Sequence, residues 1–167
     1  MIDSITRRGA ISLGALALAA PLVLKFGGSA RAAPATRYTV TLAPAQWRAR
    51  LSPAAYNVLR EAGTERPFTS PLNDEHRKGV FTCAGCALPL FASDTKFDSH
   101  TGWPSFFRPL DHAVLTTTDT AFMMERTEVH CRRCGGHLGH VFDDGPPPTG
   151  KRYCMNGVAM KFAATKA

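Results

Sequence analysis

The sequence predicts one α+β domain, built mainly from antiparallel strands, behind a short N-terminal leader. Helical periodicity is confined to residues 38–63, whereas short runs rich in Val, Thr and Phe recur from residue 80 onward, separated by Gly, Pro and Asp. A length of 167 residues with 44% hydrophobic and 20% charged residues is ordinary for one globular domain. The same composition excludes collagen-like, disordered and coiled-coil proteins.

The first 32 residues have the layout of an export signal. Arg7 and Arg8 precede an apolar run over residues 9–24, and residues 30–32 supply small side chains for a cleavage site. The paired arginines are similar to a twin-arginine signal, although the Phe that usually follows them is missing. A run of about 16 residues is short for a membrane span, and a retained anchor is the alternative. We therefore expect an exported, periplasmic protein that begins near Ala33, with no stable membrane anchor after cleavage.

Two helices are predicted at the start of the mature chain, within residues 38–63. Pro44 suits the first turn of a short helix. Ser52 followed by Pro53 is typical of an N-cap and the first position of a second helix, and Gly63 is expected to end it. Both helices therefore precede all the predicted strands.

Seven short strands are predicted after a polar loop. They cover residues 80–82, 88–91, 113–117, 122–130, 137–142, 152–155 and 158–162. Such runs suit an antiparallel sheet. Residues 102–107, around a proline, are expected to form a loop, and the proline-rich residues 143–148 a stiff turn.

Four of the five cysteines form two C-x-x-C pairs with the spacing of a metal site. They are Cys83 with Cys86 and Cys131 with Cys134. Two residues between cysteines let a tight turn aim both sulfurs at one point, and two such turns complete a tetrahedron around zinc. Closed four-sulfur sites are usually structural, so we predict one structural Zn²⁺ ion. Two redox dithiols, or an iron site of rubredoxin type, are the alternatives.

The net charge of +7 at pH 7 does not indicate nucleic-acid binding. The leader supplies +3 of it, and the remaining 135 residues carry 16 basic and 12 acidic side chains. Four thiolates around one Zn²⁺ would bring the domain to about +2. No nucleic-acid partner is expected for so small a charge.

The fifth cysteine, Cys154, has no partner among the paired ones. A lone cysteine is most often a buried apolar residue. Arg152 lies two residues away, on the same face of an extended strand, and a nearby cation favours the thiolate. Cys154 is therefore either a core residue or a nucleophile.

Two histidines and a tryptophan are further candidates for a site. In an extended strand His137 and His140 face opposite sides, and Gly139 between them suggests a β-bulge that redirects one. Either histidine could instead be a zinc ligand or a structural residue. Trp103 could likewise belong to the core or to the site.

Five ordered sequence blocks, taken with the two C-x-x-C pairs, resemble the methionine-(R)-sulfoxide reductases of the B type. The blocks are residues 63–68, 94–99, 102–106, 137–142 and 152–156. The resemblance extends from about residue 38 to residue 162, nearly the whole predicted mature chain. It implies two antiparallel sheets with helices near the N-terminus, and zinc at the end away from the chemistry.

The resemblance also implies the roles of the site residues. The sulfur of Cys154 would attack the sulfoxide sulfur, supported by Arg152, and Trp103 would contact the substrate methyl group. The side chains around the substrate oxygen would be those of His137, His140 and Asn156. The resemblance thus makes Cys154 the nucleophile.

The substrate implied is methionine R-sulfoxide, either free or in oxidised proteins and peptides, and the first product on the enzyme is a Cys154 sulfenic acid. Many family members then use a resolving cysteine just before the Gly-Trp-Pro motif, where this chain has Thr101. An external thiol or thioredoxin-like reductant is therefore expected, with the protein acting as a monomer in repair of oxidative damage. A zinc-stapled binding module and a C-x-x-C dithiol oxidoreductase are the rival functions.

Overall fold

A computed structural model describes residues 38–165, so the predicted leader lies outside the described residues. The described residues fall within one compact unit, Thr36–Ala167. Over residues 38–165 the chain forms no helix long and apolar enough to cross a membrane.

Two short helices precede the strands in the described part of the chain, α1 over Pro44–Arg50 and α2 over Pro53–Glu61. The predicted N-cap of α2 is present, since the Ser52 hydroxyl accepts a hydrogen bond from the Ala55 N–H at 3.2 Å. The predicted end is one residue late, because the left-handed residue after α2 is Ala62, with φ 53°, and not Gly63. Gly63 is required for space instead, as a Cβ there would lie 1.9 Å from Asn57 Oδ1.

Within residues 38–165, nine strands form two antiparallel sheets. They are β1 Gly79–Cys83, β2 Pro89–Ala92, β3 Lys96–Phe97, β4 Ser105–Phe106, β5 Val114–Asp119, β6 Arg126–Cys131, β7 His137–Phe142, β8 Arg152–Met155 and β9 Met160–Ala164. One sheet has the order β2-β1-β9 and the other β3-β4-β8-β7-β6-β5. The predicted fold class, α+β with two antiparallel sheets and N-terminal helices, is confirmed.

Four stretches of the described residues differ from the predicted strands. Lys96–Phe97 is a strand that was not predicted, and the strand expected at 158–162 begins only at Met160, because Gly157–Ala159 forms a turn of 3₁₀ helix. Part of the expected loop at 102–107 is a strand, because Ser105–Phe106 pairs with β8 on one side and β3 on the other. The expected strand at 122–130 begins only at Arg126, because Ala121–Met123 forms a turn of 3₁₀ helix.

Three fully buried phenylalanines join the two sheets. Phe106 of the larger sheet stacks on Phe91 with ring centroids 4.3 Å apart, and meets the edge of Phe81 at 4.9 Å. Such pairs contribute about 0.5–1.5 kcal/mol each beyond the burial of their area. Phe106 is the neighbour of Ser105, so this core also anchors the short strand beside Cys154.

Candidate active site

Cys154 lies on β8, an interior strand of the six-stranded sheet. It is paired with Ser105 of β4 on one side and with His140 of β7 on the other. A strand hydrogen-bonded on both sides holds its backbone in a fixed position. The register of the sheet therefore places the sulfur of Cys154 relative to His140.

A β-bulge brings the two histidines of β7 together. Val129 of β6 pairs with Gly139 and the next residue, His130, pairs with His137, so Leu138 is the extra residue on β7. The rings of His137 and His140 consequently lie 5.5 Å apart, centroid to centroid. Gly139 is needed beside the bulge because a Cβ there would lie 2.1 Å from the Cys154 carbonyl oxygen.

An open cavity of about 130 Å³ contains the half-buried Cys154 and three other predicted site residues. Its walls are formed by Thr64, Trp103, Arg126, Gly139, His140, Phe142, Cys154 and Asn156. Two of the predicted residues, His137 and Arg152, are not part of its wall. The structure therefore brings four of the six predicted site residues to one surface.

The walls formed by Trp103 and Asn156 are both fixed by the main chain of Glu65. The indole Nε1 of Trp103 donates to the Glu65 carbonyl at 3.1 Å, and the Glu65 N–H donates to Asn156 Oδ1 at 2.9 Å. The side chain of Glu65 accepts hydrogen bonds from the N–H groups of Gly157 and Val158. Because one residue holds both walls, their separation is set before any substrate binds.

His140 is held from behind by an ionised carboxylate. Its Nε2 lies 2.9 Å from Asp119 Oδ2, which also accepts a hydrogen bond from Arg126 at 2.6 Å. The Ala121 N–H, followed by His140 and Arg126, lowers the pKa of Asp119 to about 2. The carboxylate is therefore charged at physiological pH and fixes the orientation of the His140 ring.

His137 lies deeper, with 5% of its surface exposed. Its Nδ1 is 2.5 Å from Glu128 Oε1, so Nδ1 carries the proton that Glu128 accepts. Burial lowers the pKa of His137, against the opposing effect of Glu128. His137 is thus a neutral ring that packs beside His140 and does not line the cavity.

Arg152 reaches the site as half of an ion pair. Its guanidinium forms two hydrogen bonds with Asp144, at 2.9 and 2.7 Å, and lies 4.4 Å from the centre of the Phe142 ring. The bond to Asp144 raises the pKa of Arg152, and the charge of Cys154 adds a smaller contribution. Arg152 is therefore a permanent cation on the same strand as Cys154.

The four paired cysteines converge on one point, separate from Cys154. Their sulfurs all lie within 4.8 Å of one another, and the short contacts join the two pairs, Cys83 to Cys134 at 3.7 Å and Cys86 to Cys131 at 3.5 Å. A tetrahedral ion with metal–sulfur bonds of about 2.3 Å requires sulfurs about 3.8 Å apart, so the set fits a four-coordinate metal. Neither candidate histidine belongs to this group among the described residues.

Hydrogen bonds among the four sulfurs shift their pKa values in opposite directions. Cys131 lowers the pKa of both Cys86 and Cys134, whereas the pKa of Cys83 is raised by Cys131 and that of Cys131 is raised by Cys134. Metal binding requires deprotonated sulfur. The contacts between the two C-x-x-C pairs thus favour one shared metal centre over two separate dithiols.

Three residues near the site could not be found by sequence reasoning: Glu65, Asp119 and Glu128. Each acts on a site residue that is 9 to 91 positions away, through hydrogen bonds that depend on strand register or loop packing. No spacing rule within one segment marks such pairs.

Comparison with known proteins places the chain in a family. The SelR domain model matches residues 51–164. The peptide methionine sulfoxide reductase MsrB of Agrobacterium fabrum is 55% identical over 124 residues, which cover 74% of this chain and 92% of that protein. The corresponding protein of Thiobacillus denitrificans is 58% identical over 119 residues, covering 71% of this chain and 90% of its own, and that of Methanosarcina barkeri is 55% identical over 118 residues, covering 70% and 83%. The resemblance predicted from the sequence blocks is thereby confirmed: the chain belongs to the SelR-domain family, the methionine sulfoxide reductases of the B type.

Proposed function

We propose that this protein is a peptide-methionine (R)-S-oxide reductase, which reduces free or protein-bound methionine R-sulfoxide to methionine. Family membership supports the activity. The structural observation that carries the proposal is the separation of the five cysteines. Four converge as a metal-binding set, and Cys154 lines a cavity with Trp103, His140 and Asn156.

The chemistry proposed is a two-electron transfer from Cys154 to the sulfoxide. The Cys154 sulfur attacks the sulfoxide sulfur, the oxygen takes up a proton as its bond to that sulfur breaks, and the hydroxyl group ends on Cys154. Methionine is released and Cys154 becomes a sulfenic acid. His140 is the histidine in the cavity wall, which supports it as the proton donor.

Selectivity for the R epimer is proposed to come from the different chemistry of the side chains that line the cavity. Trp103 offers an aromatic surface to the methyl group, whereas His140 and Asn156 offer polar atoms to the oxygen. Exchanging methyl and oxygen would place the oxygen against the indole and leave polar groups unpaired, which a buried site penalises strongly. The fixed positions of Trp103 and Asn156 support this discrimination.

The reductant is proposed to be an external thiol or a thioredoxin-like protein. Thr101 lies beside Cys154, with its hydroxyl oxygen 3.7 Å from the sulfur, and therefore supplies no resolving thiol. The other cysteines belong to the metal-binding cluster. Two external thiols would convert the sulfenic acid to the thiol, releasing water and one disulfide.

The metal proposed is a single structural Zn²⁺ ion held by Cys83, Cys86, Cys131 and Cys134. When bound, it cross-links the two C-x-x-C turns and supplies folding free energy. The closed four-sulfur set supports this role, because it leaves no open coordination position. Elemental analysis showing about one zinc per chain, with no iron, is the expected result.

The location proposed is the periplasm, after export through a twin-arginine-like signal in residues 1–32. The support is the sequence of that segment alone. Fractionation should recover a protein that begins near Ala33 from the periplasm. Changing Arg7 and Arg8 together to Lys should retain it in the cytoplasm, and unchanged export would contradict the proposed route.

The protein is proposed to act as a monomer. Sedimentation of the mature protein as a single species of monomer mass would support this. A stable dimer would contradict it.

The test of the activity is a single-turnover assay with separate R and S epimers of a blocked methionine sulfoxide and no added reductant. We expect about one methionine per protein from the R epimer alone, with one oxygen added to Cys154. Cys154→Ser is the matched control and should give none. Absence of methionine with wild-type protein that holds zinc and a reduced Cys154 would favour the binding module.

A further inference from the structure

A chain of three hydroxyl groups leads away from the sulfur of Cys154. The sulfur lies 3.7 Å from Thr101 Oγ1, which lies 2.8 Å from Ser99 Oγ, which in turn lies 2.7 Å from Ser105 Oγ. Ser105 Oγ donates to the Trp103 carbonyl at 3.1 Å. Both ends of the chain are fixed, since Ser105 is fully buried and pairs with Cys154 across β4 and β8.

Each hydroxyl group can donate only one hydrogen bond. Once the donor at one end of the hydroxyl chain is known, the donor in every other bond follows. Because Ser105 gives its proton to the Trp103 carbonyl, Ser99 must donate to Ser105. Thr101 must then donate to Ser99. The only donor left for the contact between Thr101 and Cys154 is the Cys154 thiol itself.

When Cys154 loses its proton to solvent, donor and acceptor must exchange in the hydrogen bonds between the sulfur, Thr101, Ser99 and Ser105. A thiolate can only accept, so Thr101 must turn its proton toward the sulfur, Ser99 toward Thr101, and Ser105 toward Ser99. The Trp103 carbonyl then loses its bond from Ser105. Deprotonation therefore removes two neutral bonds, the weak one from the Cys154 thiol to Thr101 and the one from Ser105 to the Trp103 carbonyl. It adds one bond from Thr101 to the sulfur, which is charge-assisted and roughly twice as strong as a neutral bond.

We propose that Thr101, Ser99 and Ser105 form a reversible hydroxyl chain that stabilises the deprotonated sulfur of Cys154 and links its state to the main chain of Trp103. This inference rests on the proposed role of Cys154 as the nucleophile. Thr101 is then a positioning residue, and its hydroxyl has a function of its own at the place where other family members have a resolving thiol.

Other charged or titratable groups also face Cys154, and they must be held constant in a test. Arg152 lies on the same strand, His140 is its paired neighbour on β7, and Arg126 belongs to the cavity wall. The four bonds of the hydroxyl chain join Cys154, Thr101, Ser99, Ser105 and the Trp103 carbonyl. Substitutions within the chain therefore leave those charges in place.

The test is the pH dependence of Cys154 alkylation by iodoacetamide in the zinc-loaded full chain, with the modified residue identified by mass spectrometry. Thr101→Val removes the hydroxyl with little change in volume. We expect the pH of half-maximal alkylation to rise by about one unit, with about tenfold slower alkylation at pH 7 and an unchanged rate at high pH. Ser99→Ala should give a smaller rise, because Thr101 keeps its proton but loses its donor.

Thr101→Ser is the matched control, since it keeps the hydroxyl and should keep the wild-type profile. An unchanged or lowered midpoint in Thr101→Val would overturn the proposal, as would a midpoint in Thr101→Ser equal to that of Thr101→Val. Alkylation requires no turnover, so a wild-type protein that reduces neither epimer defeats the proposed function independently of this result. Circular dichroism and zinc content identify any variant that has failed to fold.

Discussion

The cysteines of this protein occupy two kinds of backbone: four lie at tight turns, and one lies on an interior strand of a sheet. Cys83, Cys86, Cys131 and Cys134 lie at tight turns, where four sulfurs meet within 4.8 Å. Cys154 lies on an interior strand, where register presents one sulfur to a cavity beside a hydroxyl. Tight turns gather four sulfurs into one cluster, whereas a strand presents a single sulfur to the cavity. Local backbone geometry therefore decides whether a cysteine joins a cluster or stands alone.

The largest expected effect is on the metal-binding side of this comparison. Cys83→Ser removes one of four ligands, and a structural zinc contributes on the order of 10 kcal/mol to folding. We expect loss of bound zinc and a protein largely unfolded at 37 °C, measured by elemental analysis and circular dichroism. A folded, active protein without metal would show that the site has no structural role.

On the other side of the comparison, Cys154→Ser should leave the fold and the zinc content intact. Turnover of methionine R-sulfoxide should fall by about 10³-fold or more, because a serine hydroxyl is a poor nucleophile toward sulfoxide sulfur. The measurement is kcat with excess reductant, beside a thermal melt. Substantial residual turnover would mean that another group attacks the sulfoxide.

A smaller effect is expected in the pH dependence of stability. His137 has a pKa lowered by burial, so the unfolded chain binds its proton before the folded chain does as the pH falls. The contribution of His137 to the free energy of unfolding is therefore fully present above the pKa of about 6.5 that it has in the unfolded chain. This contribution is lost as the pH falls below that value. Denaturant melts at pH 7.5 and 5.5 should show a difference that His137→Asn reduces, and an equal difference in both proteins would contradict this.

The smallest predicted effect distinguishes the two C-x-x-C turns from each other. Both close with the same bonds: Ala87 N–H to the Cys83 carbonyl and Gly135 N–H to the Cys131 carbonyl, each at 2.8 Å. The residue with positive φ is Ala87 in the first turn, at 57°, and Gly135 in the second, at 67°. Ala87→Gly should stabilise the protein by about 0.5–1 kcal/mol, because glycine adopts this conformation without strain.

Gly135→Ala is the matched control for that substitution. It should destabilise, since an added Cβ would be strained and would also lie 2.4 Å from the Tyr38 ring. Chemical denaturation measures both variants. If the two substitutions change the free energy of unfolding by equal amounts of opposite sign, backbone strain alone explains both. A larger decrease in Gly135→Ala would show the added clash with Tyr38.

The sequence predicted those parts of the fold that local chemistry determines. The bounds of β7 and β8 and the N-cap at Ser52 follow from residues within one segment. The strands β3 and β4 were missed because two residues are too few to show a period. They exist only because the neighbouring strands supply hydrogen bonds.

The residues of the site likewise include some that the sequence predicted and some that it did not. Motif spacing identified the cysteines, and the sequence blocks identified Trp103, His140 and Asn156, which line the cavity with Cys154. The carboxylates that hold the histidines, Asp119 and Glu128, were not predicted. Their partners are set by pairing between β6 and β7 and by the end of β5, which no single segment encodes.

Glu65 has a consequence for the order in which the chain becomes functional during synthesis. Its bonds to Asn156, Gly157 and Val158 cannot form until residues close to the C-terminus have left the ribosome. The last ligand of the metal-binding cluster, Cys134, emerges more than twenty positions earlier. During translation from the N-terminus, the four sulfurs can therefore bind a metal ion before Glu65 is hydrogen-bonded to both Trp103 and Asn156. The metal-binding cluster can thus assemble on a nascent chain before the cavity around Cys154 is complete.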